Sequence, residues 1–118
     1  MDFPSSEFEE EHVGDVVVLS PKGEMDASKI PAYEARLKDL ARRGTRALVW
    51  DLSSVGILPS TALGFLAASA RQFESAGGRF AVVAPSRLVR STISTLGLGG
   101  VLRLKSTLSE ALEAVRAT

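Results

Sequence analysis

Two adjacent hydroxyls, Ser60 and Thr61, follow Pro59 at the head of a run whose apolar residues recur at helical spacing. A helix start presents free backbone N–H groups and the positive end of the helix dipole, so it favours negative charge. Two kinds of chemistry suit hydroxyls there. One is capping, in which Ser60 or Thr61 accepts a first-turn N–H, a role worth about 1 kcal/mol. The other is phosphorylation, which adds about −1.5 to −2 charge at a place that accommodates it. The spacing leaves both open.

Other chemistries lack their parts. A hydrolytic triad needs a nucleophile, a base and an orienting acid. The single histidine, His12, lies in an acidic N-terminal stretch, and no serine sits in a Gly-x-Ser-x-Gly elbow. Cysteine is absent, which removes thiol catalysis, cysteine-ligated zinc and disulfides together. Glu7, Glu9, Glu10 and Glu11 read as a solvated charge run rather than a metal site. Gly97-Leu98-Gly99-Gly100 lacks the dinucleotide-loop spacing, and there is no Gly-Lys-Ser/Thr phosphate loop. The expectation is a binding module rather than an enzyme, with no catalytic residue, no metal and no cofactor. The 14 basic and 14 acidic residues cancel, so nothing attracts nucleic acid or anionic lipid in general. No apolar run approaches the roughly 20 residues of a membrane helix. The start, MDFPSSEFEEEH, has neither the basic region nor the apolar stretch of a signal peptide. The expected location is cytoplasmic, without membrane insertion.

The elements that must position Ser60 follow from the same pattern. The 118 residues suit one domain, with residues 1–12 a polar lead-in that has room for an edge strand. A strand is predicted over 13–20, then a turn at Ser20-Pro21-Lys22-Gly23. Ser28 is placed to cap a helix carrying Ile30, Tyr33, Leu37, Leu40 and Ala41, which Arg42-Arg43-Gly44 ends. Arg46–Leu52 reads as a buried strand. A loop over 53–58 leads to the helix at Pro59-Ser60-Thr61, stopped by Gly77-Gly78. Phe80–Ala84 is a strand, Pro85-Ser86 opens a helix with Leu88, Ile93 and Leu96, and Val101–Leu104 is a short last strand. Ser106 or Thr107 caps a final helix with Leu108, Ala111, Leu112 and Val115. This order implies an α/β fold: a mixed sheet of four to five strands with about four covering helices.

In open α/β sheets, binding gathers beyond the C-terminal strand ends. Two loops leave such ends, one with Gly23-Glu24-Met25-Asp26 and one running from Asp51 to Gly64. Phe65 falls off the Leu63–Leu66–Ala70 stripe. With Ala62, Ala68 and Ser69 it forms either an exposed apolar patch beside Ser60 or a second buried face.

The stretch Asp51-Leu52-Ser53-Ser54-Val55-Gly56-Ile57-Leu58-Pro59-Ser60-Thr61-Ala62-Leu63-Gly64 resembles the signature of STAS domains, the fold of bacterial anti-sigma factor antagonists. Gly23-Glu24-Met25-Asp26, Gly77-Gly78 with Phe80–Val83, Leu96-Gly97-Leu98 and Ser109-Glu110-Ala111-Leu112 match further family segments in order. The resemblance implies partner switching. An unphosphorylated antagonist binds an anti-sigma factor, often a serine kinase; phosphorylation of one serine blocks binding, and a serine phosphatase reverses it. Ser60 matches the phosphoacceptor, with Thr61 a weaker candidate. The expected partner surface comprises Asp26, Pro59, Ser60, Thr61 and Ala62, to which the helix spacing, independently of the resemblance, adds Phe65. Two positions depart from the family pattern: Pro59 stands for an aspartate and Ala62 for a glycine. They keep a second implied role in view, that of an unphosphorylated structural subunit in a stressosome-like assembly or beside a membrane-transport ATPase.

Overall fold

The computed structural model describes residues 7–116; residues 1–6 of the expected lead-in lie outside the described residues. Strands β1 (Phe8–Val13), β2 (Val16–Pro21), β3 (Ala47–Asp51), β4 (Arg79–Val83) and β5 (Leu104–Lys105) form one sheet in that spatial order. β1 and β2 are antiparallel; the later neighbours are parallel. Helices α1 (Ile30–Arg42), α2 (Ser60–Ser75) and α3 (Arg87–Thr95) join successive parallel strands, and α4 (Leu108–Arg116) follows β5. Crossovers of one hand stepping one way along a sheet put their helices on one face. The core divides accordingly. Val17, Leu19, Leu48, Trp50, Phe80 and Val82 face the first three helices. Val16, Val18, Val49, Ala81 and Val83 face Ala111 and Val115 of α4.

The strand expected over 13–20 is two strands. Val13 closes β1, and Gly14 turns the chain at φ 62° before Val16 begins β2. Much of the polar lead-in is thus an edge strand. Its alternation is hidden because Glu10 faces the helix-covered side and takes its partner from α1. The guanidinium of Arg36, 2% exposed, bonds both Glu10 carboxylate oxygens at 2.7 Å and Asp39 at 2.6 Å. These bonds hold the Glu10 carboxyl below its usual range against the opposing effect of burial. Glu9 and Glu11 are exposed, and such charges discourage a further strand from pairing with this edge.

Three smaller expectations change. Ser28 caps nothing: it lies in a 3-10 turn, Ala27–Lys29, whose helical dihedrals run directly into α1. The last strand is Leu104–Lys105, paired with Val82 and Val83 at the end of β4, because residues 101–103 are in a turn in which Arg103 has φ 49°. Of Leu88, Ile93 and Leu96, only Ile93 is buried; Val89 is its inward companion on α3. Of the two candidate caps for α4, Thr107 fills the role: its Oγ1 accepts the Glu110 N–H at 3.2 Å.

Candidate functional site

The site is built from the two loops that leave the ends of β2 and β3. Just past β3, the Asp51 carboxylate accepts the Ser53 N–H at 3.1 Å and its hydroxyl at 2.5 Å, which turns the chain. Val55 and Leu58 then plug the loop into the core. Two sets of polar contacts tie it to the β2–α1 loop. The Ser54 hydroxyl donates to the Pro21 carbonyl at 2.6 Å and approaches the Gly23 carbonyl at 3.2 Å. The Glu24 carboxylate accepts the Gly56 N–H, with both oxygens at 3.1 Å, and the Ile57 N–H at 3.1 Å. Met25 is fully buried beside them, which leaves Asp26 exposed on the same loop. Lys29 Nζ donates to the carbonyls of Lys22 and Glu24 at 3.1 and 2.9 Å and closes the first loop on itself.

Ser60 and Thr61 do not cap the helix. Pro59 takes the N-cap position in extended backbone (φ −66°, ψ 156°), and its carbonyl accepts the Leu63 N–H at 3.0 Å. Its ring offers no acceptor, so α2 begins without a side-chain capping bond. Ser60 and Thr61 become the first two helical residues, both exposed, with hydroxyls not committed to the cap. The capping expectation is thereby corrected, and the reason is local: Pro59 keeps Leu58 out of the α region and itself takes the extended N-cap backbone, so the helix starts at Ser60.

Phe65 and Ala62 do not form a surface patch. Ala62 is fully buried and Phe65 is 9% exposed. The Phe65 ring lies 5.8 Å from Tyr33 and 5.9 Å from Trp50, so α2 packs a second face toward the α1 side of the core. Ser69 is buried too and returns its hydroxyl to the Phe65 carbonyl; of the four residues only Ala68 stays exposed. The apolar side chain displayed near Ser60 is instead Ile57, 66% exposed. Sequence reasoning missed it. The signal was the pair Ile57-Leu58, in which a loop crossing the core edge buries one side chain and turns the other out.

Tyr33 is fully buried against Phe65. Burial first, and then the charges of Glu7 and Asp26, push its hydroxyl up to about 12. The phenol is therefore protonated at neutral pH.

Residues 7–111 match the STAS domain family. The chain belongs to the STAS family. It is 39% identical over 101 residues to the anti-sigma-F factor antagonist RsfB of Mycobacterium tuberculosis, covering 86% of this chain and 82% of that one. A crystal structure of a putative anti-sigma factor antagonist from Thermotoga maritima superposes with a TM-score of 0.84 at 30% identity, covering 92% of this chain and 94% of the other. The Bacillus cell fate determinant SpoIIAA in its phosphorylated form superposes with a TM-score of 0.72 at 25% identity, covering 92% and 99%. This STAS domain thus has relatives named as anti-sigma factor antagonists.

The remaining sequence candidates lie elsewhere. His12 is 58% exposed and bonds Glu10 at 2.7 Å, opposite Val17 and away from the strand end that carries the site. Among the described residues no group of three or more His, Asp or Glu side chains could hold a metal ion. No described helix is long and apolar enough to cross a membrane.

Proposed function

We propose that this STAS domain is a cytoplasmic anti-sigma factor antagonist without catalytic activity, switched by phosphorylation of Ser60. It docks an anti-sigma factor that is also a serine kinase, and a serine phosphatase restores it. The observation that carries this reading is the Ser60 hydroxyl: exposed, not spent on capping, and at a helix start whose preceding loop is tied into its neighbour. A phosphate at this helix start meets free first-turn N–H groups, so the fold tolerates it. The partner does not, because a doubly charged group enters a surface shaped for a neutral hydroxyl. Asp26, exposed on the adjoining loop, adds negative charge to the same side.

In this reading the contact surface comprises Asp26, Pro59, Ser60 and Thr61, with Ile57 beside them. Ala62 and Phe65 support it from the core. Incubation with each anti-sigma kinase of the source genome and ATP, followed by mass spectrometry, tests the switch. The expected product carries one phosphate on Ser60. Phosphate confined to another residue, or a Ser60→Asp variant that keeps full affinity for the kinase, refutes it. Pro59, standing where the family has aspartate, favours the second reading of an unphosphorylated structural subunit. Native co-purification with a transporter or scaffold, with Ser60 unmodified, selects that reading.

A further inference from the structure

The strongest unexplained investment near the site is the Glu24 carboxylate. It is an exposed residue, yet both its oxygens are used on the backbone of a loop 32 and 33 residues away. Bonds of an ionised carboxylate to N–H groups are among the stronger ones, and accepting two successive amides fixes a turn rather than a single point. Gly56 is shaped for this contact: a Cβ there would stand 3.3 Å from Glu24 Oε2, closer than side chains ordinarily come. On the other side of the turn Val55 and Leu58 are anchored in the core, and Ser54 is bonded to the carbonyls of Pro21 and Gly23. Within this fixed frame the side chain turned outward is Ile57. Leu88 and Leu96, similarly exposed, lie on α3 and at its C-cap, whereas Ile57 stands three residues before Ser60.

We propose that Glu24 is a positioning residue: by holding the Gly56–Ile57 turn it displays Ile57 as the apolar anchor that an anti-sigma factor grips. This rests on the function proposed above. A rigid apolar side chain ringed by polar groups is the form binding hot spots take, because little ordering is left to be done on docking. The rim here is acidic, from Glu24 and Asp26, so the complementary surface is an apolar pocket edged by cations or N–H donors. Phosphate on Ser60 adds charge to that acidic rim, which gives the switch a place to act without unfolding the domain.

The test has two arms. Amide exchange by NMR needs no partner. In Glu24→Ala the Gly56 and Ile57 amides exchange at least about tenfold faster than in the wild type, while strand amides of β3 and β4 are unchanged. Glu24→Gln, which keeps one acceptor oxygen, lies between. Unchanged exchange at Gly56 and Ile57 overturns the positioning role and leaves the proposed function standing. The second arm uses, as probe, the genome's anti-sigma factor that binds the wild-type chain in biolayer interferometry. Ile57→Ala weakens binding about tenfold or more, and Glu24→Ala weakens it comparably. Combined, the two add no more than about threefold beyond Ile57→Ala alone, because Glu24 acts through Ile57. Additive losses overturn the inference, since they mean Glu24 meets the partner by itself. Failure of every anti-sigma factor to bind the wild type refutes the proposed function and the anchor with it, whatever the exchange arm gives.

Discussion

Replacing Arg36 by methionine tests how the acidic edge strand is held. Arg36 is 2% exposed and Glu10 11%, and they share two bonds of 2.7 Å; a third bond of 2.6 Å joins Arg36 to Asp39. As a whole the pair contributes little net stability, because desolvating the guanidinium offsets the attraction. Removing one partner is different: Glu10 is left nearly buried without its cation, a loss that costs about 3–5 kcal/mol for fully buried pairs. Glu10 lies on an edge strand, keeps its bond to His12, and can lean toward water. That lowers the expected loss to about 2–3 kcal/mol, or roughly 8–12 °C in Tm for a domain of this size. Urea titration and calorimetry measure it. A double variant, Arg36→Met with Glu10→Leu, recovers most of the loss, since neither charge is then stranded. The pH dependence carries the sign. The folded Glu10 carboxyl titrates below its ordinary value of 4.5. Its contribution is therefore present above that ordinary value and disappears as pH falls through the lower, folded one. The gap between wild type and Arg36→Met is widest near neutral pH and closes in acid. A single variant within about 0.5 kcal/mol of wild type, or a double variant as weak as the single, refutes the account.

Three further substitutions probe the packing around the site. Phe65→Ala opens a cavity among Tyr33 and Trp50 and costs about 3–5 kcal/mol in denaturant unfolding; a loss below about 0.5 kcal/mol would restore the surface-patch reading. Gly78→Ala drives a Cβ to 2.8 Å from the Arg46 carbonyl and 3.1 Å from the Phe73 ring, so it destabilises by about 1–3 kcal/mol, read as a lower Tm. Tyr33→Phe deletes a buried hydroxyl that has no hydrogen-bond partner among the described residues. It is neutral or stabilising by up to about 1 kcal/mol, and a marked loss in urea titration would show that the hydroxyl is satisfied.

The legible parts of this chain are those set by local spacing. β3 and β4 stand where short apolar runs put them, buried on both sheet faces, and α1, α2 and α4 stand where apolar residues recur at helical spacing. β1 escaped that reading: Glu9, Glu10 and Glu11 look uniformly polar until Arg36, 26 residues later in the chain, supplies the partner that lets Glu10 face inward. β5 is two residues long, too short for any period to register. The candidate site shows the same division. Ser60 and its helix start were readable, while the clasp between Glu24 and Gly56 is a contact between distant loops that no window of sequence contains.

The sharpest local error is also the most informative one. Residue preferences favour serine at an N-cap, yet Pro59 took that position with its extended backbone and moved both hydroxyls one step into the helix. A serine engaged as a cap has its oxygen bonded to the first turn, and a phosphate added there must first break that bond. Ser60 as the first helical residue has no such bond to lose, while the N–H groups that a cap would have occupied remain in the same turn. An aspartate at this position would itself cap and occupy those N–H groups; proline in its place removes one negative neighbour from Ser60 and leaves them open. Of the two departures from the family pattern, Pro59 thus takes away a charge that a kinase could read and leaves the helix start open to a phosphate.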